Sequence, residues 1–319
     1  MKILVTGCCG FIGFNFTKFL AKSNKKLKIV GIDNLDNYYS VKLKKDRLKN
    51  LLKHKNFIFF KCDLENYKLI EKIFKKNKFK YIFHLAAQAG VRYSIINPKK
   101  YIKSNINGFF NILDLSRNIK VKKIFYASSS SVYGDSRTFP LEEKNTIHPK
   151  NLYGLTKKFN EELAEVFSKF YKMKLVGLRF FTVYGEWGRP DMMIIKYIDS
   201  SFKKKNFYLN NYGNHTRDFT YIGDVVQIMK KLIYLKNRKN HEVFNICSGK
   251  PIKLIKIINF LNSLTKAPKI KKIKFQRADV LKTHGSNKKI KKIIKYNKFT
   301  DIKLGLSNTL KWYKNYSGN

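Results

Sequence analysis

Lys2-Ile3-Leu4-Val5-Thr6-Gly7-Cys8-Cys9-Gly10-Phe11-Ile12-Gly13 is the stretch on which the fold turns. Residues 2–6 read as a buried first strand, and a Gly-x-x-Gly-x-x-Gly turn follows at once. A helix carrying Phe14, Phe16, Phe19 and Leu20 comes next and ends near Ser23-Asn24. Strand, glycine turn and helix start in that order build a cradle for a pyrophosphate. The glycines permit the tight turn, the close backbone approach and the helix–strand packing, and the helix N-terminus presents unpaired N–H groups to the anion. A second strand, residues 28–32, ends in Asp33, twenty residues past Gly13. An acid at that distance holds the adenosine ribose hydroxyls and repels a 2′-phosphate, so NAD is expected rather than NADP.

Further along stand Ala127-Ser128-Ser129-Ser130-Ser131-Val132-Tyr133-Gly134 and then Tyr153 and Lys157 in Asn-Leu-Tyr-Gly-Leu-Thr-Lys. Residues four apart share a helix face, which puts the Lys ammonium beside the Tyr ring. A free phenol titrates near 10; a nearby cation favours the phenolate, and an oxidised nicotinamide pushes the same way. Ser129, Tyr153 and Lys157 are therefore the expected catalytic set for moving a proton while a cofactor takes a hydride. Alone, a Tyr-x-x-x-Lys spacing marks many ordinary amphipathic helices. The dinucleotide turn upstream gives it weight.

Apolar runs at 57–60, 81–85, 123–127 and 175–180 alternate with helical segments, which predicts a parallel sheet covered on both faces. The helix beginning near Pro149 shows Leu155, Phe159, Leu163, Val166 and Phe170 at helical spacing, read as core. His84, ending a buried strand, reads as a packed strand residue rather than a base. Near Thr182 the rhythm breaks into shorter elements, including 207–209 and 243–246. The expected class is α/β: a doubly wound parallel sheet of Rossmann type with a smaller, interwoven C-terminal domain. Residues 1–181, with parts of 214–247, form the first and 182–319 the second.

With 319 residues the chain can bury a sizeable core. No apolar run reaches the length of a membrane helix, and the immediate entry into a strand leaves no room for a signal peptide. Cys8 and Cys9 lie adjacent inside the turn, where a bridge would distort it. A reduced, cytoplasmic setting is expected, and no metal-ligand spacing is present. The formal net charge is +46, from 67 Lys and Arg against 21 Asp and Glu. The lysines run from Lys18 to Lys314 in a sequence also rich in Asn, Ile, Phe and Tyr. This reads as compositional drift on solvated faces rather than a nucleic-acid surface. A basic surface still speeds the encounter with an anionic substrate.

The chain resembles the extended short-chain dehydrogenase/reductase superfamily, and within it the nucleotide-sugar epimerases, UDP-glucuronate 4-epimerases above all. The resemblance is carried by residues 7–13, 33–35, 84–92 (His-Leu-Ala-Ala-Gln-Ala-Gly-Val-Arg), 104–105, 128–134, 153–157, 179–185, 187–192 (Trp-Gly-Arg-Pro-Asp-Met) and 217–222. It implies that Gly7, Gly10, Phe11, Ile12, Gly13, Asp33, Asn34 and Asn37 hold NAD, together with Asp63, Leu64, Leu85, Ala86, Ala87 and Asn105. Ser128, Tyr153, Lys157, Phe180 and Val183 complete that set. It further implies a homodimer through helices around 98–118 and 149–171, and a place in polysaccharide biosynthesis.

The Ser run bears on which reaction. Dehydratases and decarboxylases resembling this chain carry an acid there; Ser129, Ser130 and Ser131 supply hydroxyls only. The implied reaction is oxidation and re-reduction at carbon 4 of a UDP-hexose through a 4-keto intermediate, most simply UDP-glucuronate to UDP-galacturonate. A UDP-glucose or UDP-N-acetylglucosamine 4-epimerase, a UDP-glucuronate decarboxylase and a non-catalytic dinucleotide-binding protein are the alternatives. By resemblance Ser129, Ser130, Ser131, Thr182 and Arg189 meet a uronate carboxylate, while Arg217 and Gln276 meet the diphosphate. The plain alternative for Arg189 is a surface Arg in a turn ended by Pro190, and a plain alternative of the same kind stands for Arg217. Gly223 before Asp224, and Arg277 after Gln276, depart from the family pattern.

Overall fold

Each apolar run named above becomes a strand. The computed structural model describes residues 1–235, 239–276 and 278–318, so Arg277 lies outside the described residues. Strands β1 (Lys2–Thr6), β2 (Lys28–Asp33), β3 (Phe57–Lys61), β4 (Tyr81–His84), β5 (Lys123–Ser129) and β6 (Leu175–Phe180) pair in parallel. β7 (Thr182–Tyr184), β8 (Phe207–Asn210), β9 (Thr216–Tyr221) and β10 (His241–Ile246) follow, then β11 (Pro251–Lys253) and β12 (Ile270–Ile273). The large sheet has seven strands in the order β10-β6-β5-β4-β1-β2-β3. Order reverses between β1 and β4, and a doubly wound sheet opens its ligand crevice at the carboxyl ends of such strands.

Alternate residues of one strand feed opposite faces. Ile3 and Val5 join Phe14, Phe16 and Met229 in the layer under helices Phe11–Ser23 and Ile222–Ile233. Leu4 joins Ile70, Phe109, Ile112 and Phe167 under Tyr67–Lys76, Gly108–Arg117 and Leu152–Tyr171. The segment 241–246, read as one of the short late elements, returns to the large sheet and pairs with β6 at its edge. β11-β9-β7 and β12-β8 make two small sheets. With helices Met193–Phe202, Leu254–Asn262 and Ile302–Ser317 they enclose a separate apolar cluster around Tyr197, Phe219, Ile257 and Leu306.

Two expectations are corrected. Strand 57–60 is continuous in apolarity but sits at the sheet edge, so Ile58 is 54% exposed. The helix Leu152–Tyr171 buries Tyr153, Lys157, Ala164 and Phe167, whereas Leu155, Phe159, Val166 and Phe170 face outward and Leu163 is half-buried. The stripe is genuine and helical; it lies on the face away from the sheet, because the polar pair Tyr153 and Lys157 takes the inner one.

Candidate active site

The glycine turn is built so that side chains are excluded. Gly7 has φ +68°, and a Cβ there would lie 2.7 Å from the Ala86 backbone. A Cβ on Gly13 would stand 2.1 Å from the Gly7 carbonyl oxygen. The helix beginning at Phe11 thus packs directly on the turn, and its first N–H groups face the crevice. At the end of β2 the Asp33 carboxylate accepts from the N–H of Cys9 at 2.9 Å and of Leu35 at 2.8 Å. Burial pushes its pKa up, while those two N–H groups, then Lys44 and Arg47, pull it down. Cys8, Cys9 and Asp33 place ligand-type atoms within 4.8 Å of one another. Burial holds the Cys8 thiol protonated, and Asp33 is engaged by the turn, so this trio is structural.

A cavity of about 360 Å³ runs from this turn to the Ser run. It is lined by Gly7, Gly10, Phe11, Ile12, Gly13, Asp33, Asn34, Asp63, Leu64, Leu85, Ala86 and Ala87 at one end. Ser128, Ser129, Ser130, Ser131, Tyr153, Lys157, Phe180, Thr182, Val183 and Arg189 line the other. A second cavity, of about 540 Å³, adjoins it through shared walls at Phe11, Thr182, Val183 and Arg189 and extends to Arg217, Phe207 and Tyr208. Three residues of the expected site are not on these walls. Asn37 is exposed and accepts from Lys100 Nζ at 3.4 Å. Gln276 is exposed, its carbonyl accepting from Asp279 N–H at 2.9 Å. Asn105 is buried, accepts from Gln88 N–H at 2.8 Å and donates to the Gln88 carbonyl at 3.0 Å and Thr156 Oγ1 at 3.0 Å. It braces the wall at Gln88 from behind. His84 is packed on Thr6 at 3.0 Å, with burial driving its pKa to about 3, and it is absent from the cavity.

Tyr153 is 9% and Lys157 2% exposed. Burial raises the Tyr153 pKa; a hydrogen bond from Ser129 and the Arg189 charge lower it. Among these influences Arg189 takes the place that spacing alone suggests for Lys157. Burial brings the Lys157 ammonium to about 7, against the opposing pull of Glu161 one turn on. Glu161 is itself clasped by Arg179 through Nε at 2.9 Å and Nη2 at 2.6 Å, and it accepts from Ser128 Oγ at 2.5 Å. Ser128 therefore has its hydroxyl turned toward this ion pair behind the cavity wall.

Arg189 donates to both Asp191 oxygens, at 3.0 Å and 2.5 Å, and Tyr38 donates to Asp191 at 2.9 Å. In the sequence Asp191 stood only as part of the 187–192 motif, with no role assigned, and Tyr38 had no signal; folding brings the loop 34–40 to Asp191. Arg217 donates to the backbone carbonyls of Thr216 at 3.0 Å, Leu281 at 2.9 Å and Val280, and burial lowers its pKa to about 10. Arg92 pairs with Asp279 at 2.6 Å beside it. Asp224, after Gly223, is buried, accepts from Tyr296 Oη at 2.7 Å and Thr300 N–H at 2.9 Å, and lines neither cavity.

The close-packed glycine turn, the terminal acid and the long cavity fit a dinucleotide, with a buried Tyr-Ser-Lys set at its far end. Residues 3–247 match the NAD dependent epimerase/dehydratase family. A UDP-glucuronate 4-epimerase of Thermodesulfobacterium geofontis is 38% identical over 98% of this chain and 95% of its own. An Arabidopsis thaliana UDP-glucuronate 4-epimerase is 36% identical over 99% of this chain and 76% of its own. The crystal structure of the UDP-glucuronic acid 4-epimerase of Bacillus cereus, in complex with UDP-glucuronic acid and NAD, superposes with a TM-score of 0.93. It is 31% identical and covers 99% of this chain and 100% of that one. The chain belongs to the NAD dependent epimerase/dehydratase family.

Proposed function

We infer that the protein is an isomerase that interconverts UDP-glucuronate and UDP-galacturonate at carbon 4. The observation that carries this reading is the wall around Tyr153: hydroxyls of Ser129, Ser130, Ser131 and Thr182, with Arg189 held by Asp191. Oxidation at carbon 4 of a glucuronate creates a β-keto acid prone to lose carbon dioxide. Hydroxyl donors fix the carboxylate without adding an ionised group that repels it, and the Ser run offers no acid for dehydratase chemistry.

NAD, held by the glycine turn and Asp33, supplies the reversible hydride acceptor. Tyr153 takes the proton of the 4-hydroxyl and returns it after the keto sugar has turned its other face. Ser129 bridges Tyr153 and the sugar oxygen by hydrogen bonding. Lys157 supplies a donor for the nicotinamide ribose, and Arg189 supplies the positive charge that lowers the phenol's pKa. Asn34, Asn37, Asp63, Leu64, Leu85, Ala86, Ala87, Asn105, Ser128, Phe180 and Val183 complete the cofactor site in this reading. Asn37 and Asn105 act through neighbouring loops. Arg217 and Gln276 serve the diphosphate, with Gln276 moving in from the surface. Residues 1–181 with parts of 214–247 act as the cofactor domain and 182–319 as the substrate domain. The exposed stripe Leu155, Phe159, Val166 and Phe170, beside Ile102 and Phe110, supports a homodimer through helices around 98–118 and 149–171. Among the described residues no helix is long and apolar enough to cross a membrane. A cytoplasmic enzyme feeding polysaccharide biosynthesis is the setting we propose.

NMR of purified protein with UDP-glucuronate, without added NAD, is expected to show UDP-galacturonate at equilibrium and little UDP-pentose. Tyr153→Phe should retain NAD and lower turnover about 10²–10⁴-fold. UDP-xylose as the main product would sink the epimerase reading; turnover of UDP-glucose alone would remove only the carboxylate assignment.

A further inference from the structure

Arg47 is the largest fully buried side chain of the molecule and has 0% exposure. It leaves the helix Val41–Leu52 and makes no ion pair among the described residues. Its acceptors are all neutral. Nη1 donates to the Cys9 carbonyl at 2.8 Å and to Tyr39 Oη at 2.7 Å. Nη2 donates to the Trp187 carbonyl at 2.5 Å and reaches the Gly188 carbonyl at 3.4 Å. Nε is buried without a partner. A buried guanidinium is costly to desolvate, and a methylene chain of similar length would fill the same space without that penalty.

Besides lowering the Asp33 pKa, the guanidinium does what an apolar chain cannot by joining two distant backbones. Cys9 lies in the pyrophosphate turn, where its N–H is already fixed by Asp33. Trp187 and Gly188 immediately precede Arg189, which lines both cavities. That loop needs an outside hold. Trp187 is left-handed at φ +59°, a conformation that a non-glycine residue keeps only where its surroundings impose it. Asn15 supplies a second tie from the cofactor side, donating to the Glu186 carbonyl at 3.2 Å.

We propose that Arg47 is a positioning residue that ties the cofactor turn to the loop carrying Arg189, so that the cofactor and substrate sites hold each other in register. The planar fork reaches both carbonyl groups at once; a Lys ammonium in its place reaches one or the other. Arg47 touches neither substrate nor cofactor and acts through Cys9 and Arg189.

The inference rests on the epimerase reading, and wild-type conversion of UDP-glucuronate tests that reading separately. Arg47→Lys is the first variant. Expected are release of bound NAD about tenfold faster, KM for UDP-glucuronate about tenfold higher, and kcat within about threefold. In an Arg189→Ala background the effect of Arg47→Lys on KM should shrink to about twofold or less, since both act through one side chain. Faster NAD release should persist there. A lowered melting temperature with NAD release and KM at wild-type values overturns the proposal. So does a KM rise of the same size with and without Arg189. Should Arg47→Lys fail to fold, Tyr39→Phe removes one acceptor and keeps the ring. It should move NAD release and KM in the same directions by about twofold, and no change in either counts against the tie.

Discussion

Lys157 shows at the residue scale how a group we propose as catalytic works against stability. It is buried beside Tyr153, with its pKa brought from 10.5 to about 7. Between these values the unfolded chain binds a proton that the folded one does not, so stability from this group rises with pH across the window. Below about pH 7 the folded protein carries the buried charge in full. Lys157→Met, compared with wild type as NAD-free protein in urea, should be more stable by about 1–3 kcal/mol near pH 6, with the gap closing toward pH 10. Turnover should fall at least about 10²-fold. A stability difference that does not change with pH would show that the folded lysine keeps its ordinary pKa and stays charged. The pairing of Tyr153 with Lys157 was readable from a spacing of four. That Arg189 rather than Lys157 pulls the Tyr153 pKa down was not, because Arg189 approaches from a loop thirty-odd residues away in sequence.

Among the elements, the first turn is where local sequence and tertiary packing agree most closely. Its three glycines were legible because the backbone itself demands them. Gly13→Ala should displace the Gly7 carbonyl, since the new Cβ would lie 2.1 Å from that oxygen. We expect a loss of about 1–3 kcal/mol and NAD affinity lower by about tenfold or more, read by denaturation and by NAD content after gel filtration. Wild-type NAD content in this variant would mean that the turn tolerates a shift the packing forbids. The helix Leu152–Tyr171 was legible as a helix and misread as to its outward stripe. Periodicity reports that one face is apolar, not whether a sheet or another copy of the chain covers it. The edge position of β3 was not legible for a related reason: an edge strand and a central one carry the same short apolar run.

For the whole molecule, the outward stripe gives the homodimer its test. Full burial of one large apolar side chain is worth about 1.5–3 kcal/mol, so Leu155→Glu with Phe159→Glu should weaken association on the order of 10²-fold or more. Sedimentation should give twice 37.6 kDa for the wild type and 37.6 kDa for the variant, with NAD still bound to the monomer. A monomeric wild type would refute the dimer and leave the stripe without an occupant. The formal charge of +46 is spread over a surface on which Lys44, Lys123 and Lys157 are the buried lysines among the described residues.

The sequence by itself determined the class of fold, the cofactor turn with its acid, and the Tyr-Ser-Lys set. Each of these is a local pattern whose spacing follows from strand, turn or helix geometry. The tertiary structure alone decided that Asn105 stands behind the cavity wall, and that Asn37 and Gln276 lie outside it. It also decided the pairings Tyr38 with Asp191, Arg92 with Asp279, and Arg47 with two separated backbones. These contacts join residues from different loops and helices. No periodicity encodes them, because they are fixed by how the small sheets dock on the large one rather than by any local run of residues.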